Sequence, residues 1–278
     1  MRPGLPDWKD RPMLERLLIT GANGALGSLC RARLGHLARV IRVSARGDLG
    51  EAGPNEEIIR CDLGDKAAVQ ALVEGCDGIV HMGGQPVEAT WEIVRNANID
   101  GMVNLYEAAR KAPTRPRIVF ASSNHAIGFH PQTERLDAKS STRPDGYYGV
   151  SKVFGEALAR MYFDKFGIET ASIRIGSCVP EPVDHRMLST WLSPDDLISL
   201  IERIFAIPVL GCPIIYGASN NDAGWWDNRE VAYLGWQPKD NAEAYRAKLD
   251  AAQPRPGPED PRARLQGGLF CADGIHED

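Results

Sequence analysis

Tyr148 and Lys152, in the run Tyr148-Gly149-Val150-Ser151-Lys152, stand four residues apart, a spacing that puts both side chains on one face of a helix. A phenol of ordinary pKa, about 10, is a poor base at neutral pH, and a nearby ammonium favours its ionised form. The pair could therefore take a proton from a substrate hydroxyl, with Lys152 making Tyr148 useful. Upstream, Ser122-Ser123-Asn124-His125 follows an aliphatic run and offers hydroxyls to a reacting oxygen. A solvated helix face can carry the same Tyr/Lys spacing with no chemistry at all. What favours a site is the serine run at the end of a strand, since ligands of open α/β sheets bind beyond the carboxyl ends of the strands.

A second group could hold a phosphate. Gly21-Ala22-Asn23-Gly24-Ala25-Leu26-Gly27 follows the apolar run RLLIT, and a helical pattern begins at Leu26. Glycines at a strand-to-helix turn let a pyrophosphate approach the backbone, where its charge meets the positive end of the helix. The expected contacts are Gly21, Asn23, Gly24, Ala25, Leu26 and Gly27. An ordinary glycine-rich turn is the plainer alternative, and its place inside a βαβ unit argues against that.

The elements that must position these groups are legible as an alternation. Short aliphatic runs at Arg16–Thr20, Val40–Ser44, Glu57–Arg60, Gly78–His81, Arg117–Ala121 and Thr170–Ile175 read as strands. Between them Leu26–Leu37, Lys66–Val73, Glu88–Lys111 and Tyr147–Phe166 read as helices. Such βαβα order predicts an α/β fold, a Rossmann-type doubly wound parallel sheet. After Cys178 the chain becomes Pro-rich, with one helix predicted over Pro194–Phe205, a strand near Ile214–Tyr216 and the aromatic stretch Gly224-Trp225-Trp226-Asp227. The expected division is a flexible extension over residues 1–13, a dinucleotide-binding domain over 14–178, a small substrate-side lobe on the same sheet over 179–251, and an extended tail over 252–278. Trp225 and Trp226 read as core of the small lobe more than as a sugar-stacking platform, and His130 and His185 as loop residues.

Composition narrows the partners. A chain of 278 residues with net charge −5 gives no support for nucleic acid or anionic lipid as the main partner. The six cysteines include no C-x-x-C pair, so neither a zinc site nor a disulfide framework is expected, and no metal is assigned. No apolar run reaches the length of a signal-peptide core or a membrane span. The expectation is a cytoplasmic protein with reduced thiols.

The G-x-x-G-x-x-G turn, the serine run and the Tyr/Lys pair together resemble the extended branch of the short-chain dehydrogenase/reductase superfamily. Longer segments, among them NLYEAAR, RIVFASSNH, LARMYFDKFG, NDAGWWDN and LGWQPKDN, closely resemble the uronate dehydrogenases, with a likeness running from about Leu14 to Phe270. This resemblance implies oxidation of the anomeric carbon of a cyclic hexuronate, such as D-glucuronate or D-galacturonate, to an aldarolactone by hydride transfer to NAD or NADP. It implies a catalytic set of Ser123, Tyr148 and Lys152, the serine being the last of its run, with Lys152 also on the nicotinamide ribose. By the same likeness Asn124, His125 and Ser177 meet sugar hydroxyls, and Arg186 takes the carboxylate, which a guanidinium can hold bidentately. Asp62 and Leu63 would meet the adenine, while Met82, Gly83 and Gly84 line the passage of adenine and ribose. A homo-oligomer, a hexamer being one form, is also implied, with the tail around Phe270 at an interface. A nucleotide-sugar epimerase or reductase shares the Ser/Tyr/Lys set but needs a larger C-terminal lobe, and a non-catalytic dinucleotide sensor would not need Tyr148 and Lys152.

Two positions depart from the family pattern. Pro86, in Gly84-Gln85-Pro86-Val87-Glu88, stands where a serine is usual, removing a hydroxyl and a backbone donor. Ala45 falls where an acidic residue usually grips the adenosine ribose, and Arg46 follows it. An acid there binds the 2′-OH of NAD, whereas a nearby arginine accommodates the 2′-phosphate of NADP, so NADP is expected to be accepted or preferred.

Overall fold

In the computed structural model, which describes residues 13–277, the first strand β1 (Leu14–Thr20) runs into the glycine turn and helix α1 (Ala25–Arg33). There follow β2 (Ala38–Ala45), β3 (Glu56–Arg60), α2 (Lys66–Val73) and β4 (Gly78–His81). A long helix then begins as α3 (Trp91–Val94), passes through a π-helical turn at Arg95–Asp100 and continues as α4 (Gly101–Lys111). After it come β5 (Arg117–Ser123), the 20-residue α5 (Tyr147–Phe166) and β6 (Thr170–Ile175). The lobe adds a short pair, β7 (Ser177–Cys178) with β8 (Trp191–Leu192), flanking α6 (Met187–Thr190), then α7 (Pro194–Ala206), β9 (Ile214–Gly217), α8 (Arg246–Ala252) and α9 (Pro261–Arg264).

Seven strands pair in the order β3-β2-β1-β4-β5-β6-β9, every pair parallel. The order reverses between β1 and β4, and a crevice opens at the carboxyl ends of the strands there, the place where such sheets bind ligands. One face buries Leu17, Ile19, Val43 and Val119 beneath α1 and α7 residues such as Cys30, Leu197 and Ile201. The other buries Leu18, Ile79, Ile118 and Phe120 against α2, α4 and α5 through Val69, Leu105 and Ala159. Burial on both faces is why these strands read as near-continuous aliphatic runs.

Several boundaries differ from the sequence expectation. The helix predicted over Leu26–Leu37 stops at Arg33, and Gly35–Leu37 forms a separate 3-10 turn. The helix predicted from Glu88 begins only at Trp91, the residues before it forming a loop that carries Pro86. The last strand, β9, lies where a strand was expected near Ile214–Tyr216 and joins the main sheet beside β6. The expected N-terminal extension lies, but for Met13, outside the described residues.

The C-terminal tail is not extended along its length. α9, an antiparallel bridge between Pro131 and Leu265, and a 3-10 turn over Gly268–Ala272 fold it back across the sheet's ligand end. Gln266 is the anchor: fully buried, it donates to the carbonyls of Pro131 (3.1 Å) and Glu134 (2.9 Å) and accepts from Trp226 Nε1 (2.8 Å). Composition favoured an open chain because all of these partners are distant in sequence. Trp226 itself stacks on Tyr216, ring centroids 5.2 Å apart, in a small core with Ile127 and Leu136.

Candidate active site

Two adjoining cavities share Gly21, Asn23, Gly83 and Gly84 in their walls. The smaller, about 250 Å³, lies over the ends of β2 and β3 and is lined by Ala45, Arg46, Asp62 and Leu63. The larger, about 460 Å³, holds Gly24, Ala25, Leu26, Gly27 and Met82 on one side. On the other side it holds Ser123, Asn124, His125, Tyr148, Lys152, Ser177 and Arg186. Every sequence-predicted site residue therefore lines one cavity or the other.

The glycine turn fits a dinucleotide. Gly21 has φ +66°, and a Cβ on it would meet the Met82 carbonyl oxygen at 2.7 Å; a Cβ on Gly27 would stand 2.0 Å from the Gly21 oxygen. Only bare backbone lets β1, α1 and β4 approach this closely. Gly24 caps α1 without any side-chain hydrogen bond, and no acid occupies the first turn. The opening amides of the helix are thus left to an anion, which the helix dipole favours. Thr20 ties the passage together, its Oγ1 accepting from Gly83 N (3.1 Å) and contacting His81 Nδ1 (2.8 Å). Burial, assisted by the Lys152 charge, pushes His81 down to about 3, so it stays neutral.

β5 and α5 bring the reactive groups together. Ser123 ends β5; its Oγ accepts from His125 N at 3.2 Å, and its hydroxyl favours the ionised form of the Tyr148 phenol. Ser122 points the other way, as successive strand residues must, and donates to Glu156 Oε1 (2.6 Å) beside the buried Glu156–Arg174 pair. Lys152 Nζ donates to the Ala121 carbonyl at 2.7 Å and lies 5.3 Å from the centre of the Tyr148 ring. Burial raises the phenol to about 12 against the opposing Ser123 hydrogen bond, and lowers Lys152 to about 8 against the pull of Glu156. In the protein alone, burial acts on the phenol more strongly than the Ser123 hydroxyl does, so it stands above its ordinary value.

Residues that sequence reasoning missed fix this arrangement. Gly146, before α5, supplies no cap; Glu88 does, accepting from the amides of Tyr147 and Tyr148 at 2.9 Å each. Its loop is pinned by the buried Asn98 in the π-helical turn, which bonds both Gln85 N (2.7 Å) and Ser151 Oγ (2.8 Å). Loss of a helix cap costs about 0.5–2 kcal/mol, so Glu88→Ala should lower the melting temperature and, by loosening the turn that bears Tyr148, reduce kcat. Thermal unfolding and turnover of the same preparation check this, and an unchanged melting temperature would remove the cap's energetic role. Glu88 was visible as the end of the Gly84–Glu88 segment, but its partner 60 residues away was not.

Arg186 Nε donates to the Gln266 carbonyl (2.7 Å), and with the Asn124 amide turned to the orientation that satisfies both its polar atoms, Nη2 donates to its side-chain oxygen (2.5 Å) while its nitrogen donates to the Ile175 carbonyl (3.1 Å). Burial lowers the guanidinium pKa, with Asp184 and Asp145 opposing at longer range. Among the described residues no carboxylate forms an ion pair with Arg186. His125 stacks on Phe270, centroids 3.9 Å apart, and its Nδ1 lies 2.7 Å from Asp145 Oδ2. Phe270 therefore sits in this chain's own cavity. Ser177 Oγ is 3.1 Å from Thr190 Oγ1. The loop holding Pro86 closes another wall. Among the described residues no group of three His, Cys, Asp or Glu could hold a metal ion, and no helix is long and apolar enough to cross a membrane.

The NAD dependent epimerase/dehydratase family model matches residues 17–193. The chain is 60% identical to the uronate dehydrogenase of Agrobacterium fabrum, over 94% of this chain and 98% of that one. It is 54% identical to that of Pseudomonas putida, over 94% and 97%. A crystal structure of a mutant uronate dehydrogenase from Agrobacterium tumefaciens complexed with NAD superposes with a TM-score of 0.93 at 58% identity, covering 95% of this chain and 99% of that one. With its seven-stranded parallel sheet and these identities, this chain belongs to the NAD dependent epimerase/dehydratase family and, within it, to the uronate dehydrogenases.

Proposed function

We propose that the chain oxidises a cyclic hexuronate, D-glucuronate or D-galacturonate, at C1 to the aldarolactone. The observation that carries this reading is Arg186, a cation held rigidly in the cavity wall with no ion-pair partner among the described residues. It lines the same cavity as the glycine turn and Tyr148. A planar guanidinium offers a substrate carboxylate paired donors. With the carboxylate there, Asn124, His125 and Ser177 face the ring hydroxyls and the C1 hydroxyl lies between Ser123 and Tyr148. The bound nicotinamide supplies the hydride acceptor and a positive charge beside the reacting carbon. Tyr148 Oη takes the hydroxyl proton, Ser123 holds the oxygen as it becomes a carbonyl, and Lys152 holds the nicotinamide ribose. The enclosing wall of Phe270 and Pro86 limits water at C1.

We further propose that NADP serves at least as well as NAD. Ala45 is buried at the end of β2, and Arg46 is exposed on the rim of the smaller cavity without an ion pair among the described residues. The neighbouring Arg60 is engaged with Asp48 at 2.8 Å, which leaves Arg46 as the cation for a 2′-phosphate. Initial rates with glucuronate and galacturonate against each cofactor test both statements. No turnover with either sugar would end the substrate reading, and a kcat/KM ratio strongly favouring NAD would end the cofactor reading alone. If Arg46 is responsible, Arg46→Ala should raise KM for NADP by roughly one to two powers of ten, the weight of one charge-assisted hydrogen bond, with little effect on NAD.

A further inference from the structure

Asp145 is buried, its side chain 1% exposed, and lies against His125 on the wall of the larger cavity. The niche around its carboxylate is made of backbone: a Cβ on Gly128 would stand 1.9 Å from Oδ2, and one on Gly267 at 2.0 Å. The only side chains bonded to that carboxylate among the described residues are His125, at 2.7 Å, and the weakly donating Cys271 thiol, at 3.8 Å. Oδ1 is buried with no hydrogen-bond partner. A carboxylate placed in such surroundings, with one strong contact, is expensive to keep, and the contact it makes is to a ring that faces the substrate.

We propose that Asp145 is a positioning residue for the reaction: it locks His125 in the Nδ1–H form, so that Nε2 presents a lone pair to a ring hydroxyl of the sugar. A carboxylate can only accept, so the proton between the two lies on Nδ1. Nε2 is then the nitrogen with no partner in the chain among the described residues. The ring cannot rotate away, because Phe270 stacks on one face and the Tyr148 ring meets it edge-on with centroids 5.8 Å apart. The site thereby demands a donor at that point of the substrate, as a hydroxyl supplies and an ether or deoxy carbon does not. Fixing a histidine tautomer through the second ring nitrogen is a general device for setting what the first can do.

The inference rests on the uronate reading for the identity of the hydroxyl, but its first test does not need a substrate. In the wild-type enzyme labelled with ¹⁵N-histidine, the His125 ring should carry its proton on Nδ1 and none on Nε2. A proton on Nε2, alone or together with Nδ1, overturns the proposal whatever the enzyme turns over. Asp145→Asn and Asp145→Ala supply the second test: KM for glucuronate should rise by roughly tenfold or more, with KM for the cofactor unmoved. A KM for glucuronate equal to wild type in a folded variant overturns it. Failure of both glucuronate and galacturonate to react, with the tautomer as expected, would instead count against the substrate assignment alone.

Discussion

Tyr148→Phe should reduce kcat for uronate oxidation by roughly 10²- to 10⁴-fold, the span that a positioned acid–base group contributes, while the protein still folds and binds cofactor. The substitution removes one oxygen and keeps the ring, so its edge-on contact with His125 survives. The cap of α5 also survives, because Glu88 bonds backbone amides and not the phenol. What disappears is the phenol oxygen beside the Ser123 hydroxyl, the group proposed to take the hydroxyl proton. With the phenol held near 12 by burial in the protein alone, its ability to accept that proton depends on charge gathered around it in the complex. Steady-state kcat, set beside a fluorescence titration with reduced cofactor, measures the two effects separately. A variant within tenfold of wild-type kcat would remove Tyr148 from the proton transfer.

The second large effect is expected at Arg186. Arg186→Ala should raise KM for glucuronate by roughly one to two powers of ten, as befits loss of a charge-assisted, hydrogen-bonded contact, and leave KM for the cofactor unchanged. Arg186→Lys should restore little. The guanidinium is aimed by two bonds, Nε to the Gln266 carbonyl and Nη2 to the Asn124 side chain, and a single ammonium on a flexible stem cannot reproduce both while offering paired donors to a carboxylate. Measuring KM for a neutral aldose alongside the uronate separates carboxylate recognition from general damage, since only the uronate should lose affinity. Equal KM for the uronate in wild type and Arg186→Ala would sever the link between this cation and the substrate.

Sequence alone determined the scaffold and pointed to the glycine turn and the Tyr148/Lys152 pair as groups able to do chemistry. The strands at β1, β2, β4, β5 and β6 were legible because both sheet faces are covered, so each strand is a short, nearly unbroken aliphatic run. The glycine turn and the Tyr148/Lys152 spacing were legible because each is a local pattern: a backbone that must come close, and two side chains one helical turn apart. Arg186, Asn124, His125 and Ser177 came into view only through likeness to a family, since nothing in the residues around them marks them out.

Tertiary structure decided the rest. The amides that open α5 are capped by a glutamate 60 residues upstream, and Arg186 is aimed by a carbonyl 80 residues downstream. His125 is held between Asp145 and Phe270, and a tail whose proline-rich composition suggested an open chain closes the site through the buried Gln266. The Tyr148 phenol is raised because burial acts on it more strongly than the neighbouring Ser123 hydroxyl. Local sequence carries periodicity, turn chemistry and residue type, and these fix which elements form. Contacts between residues far apart in the chain, and the desolvation that burial imposes, exist only once those elements have packed.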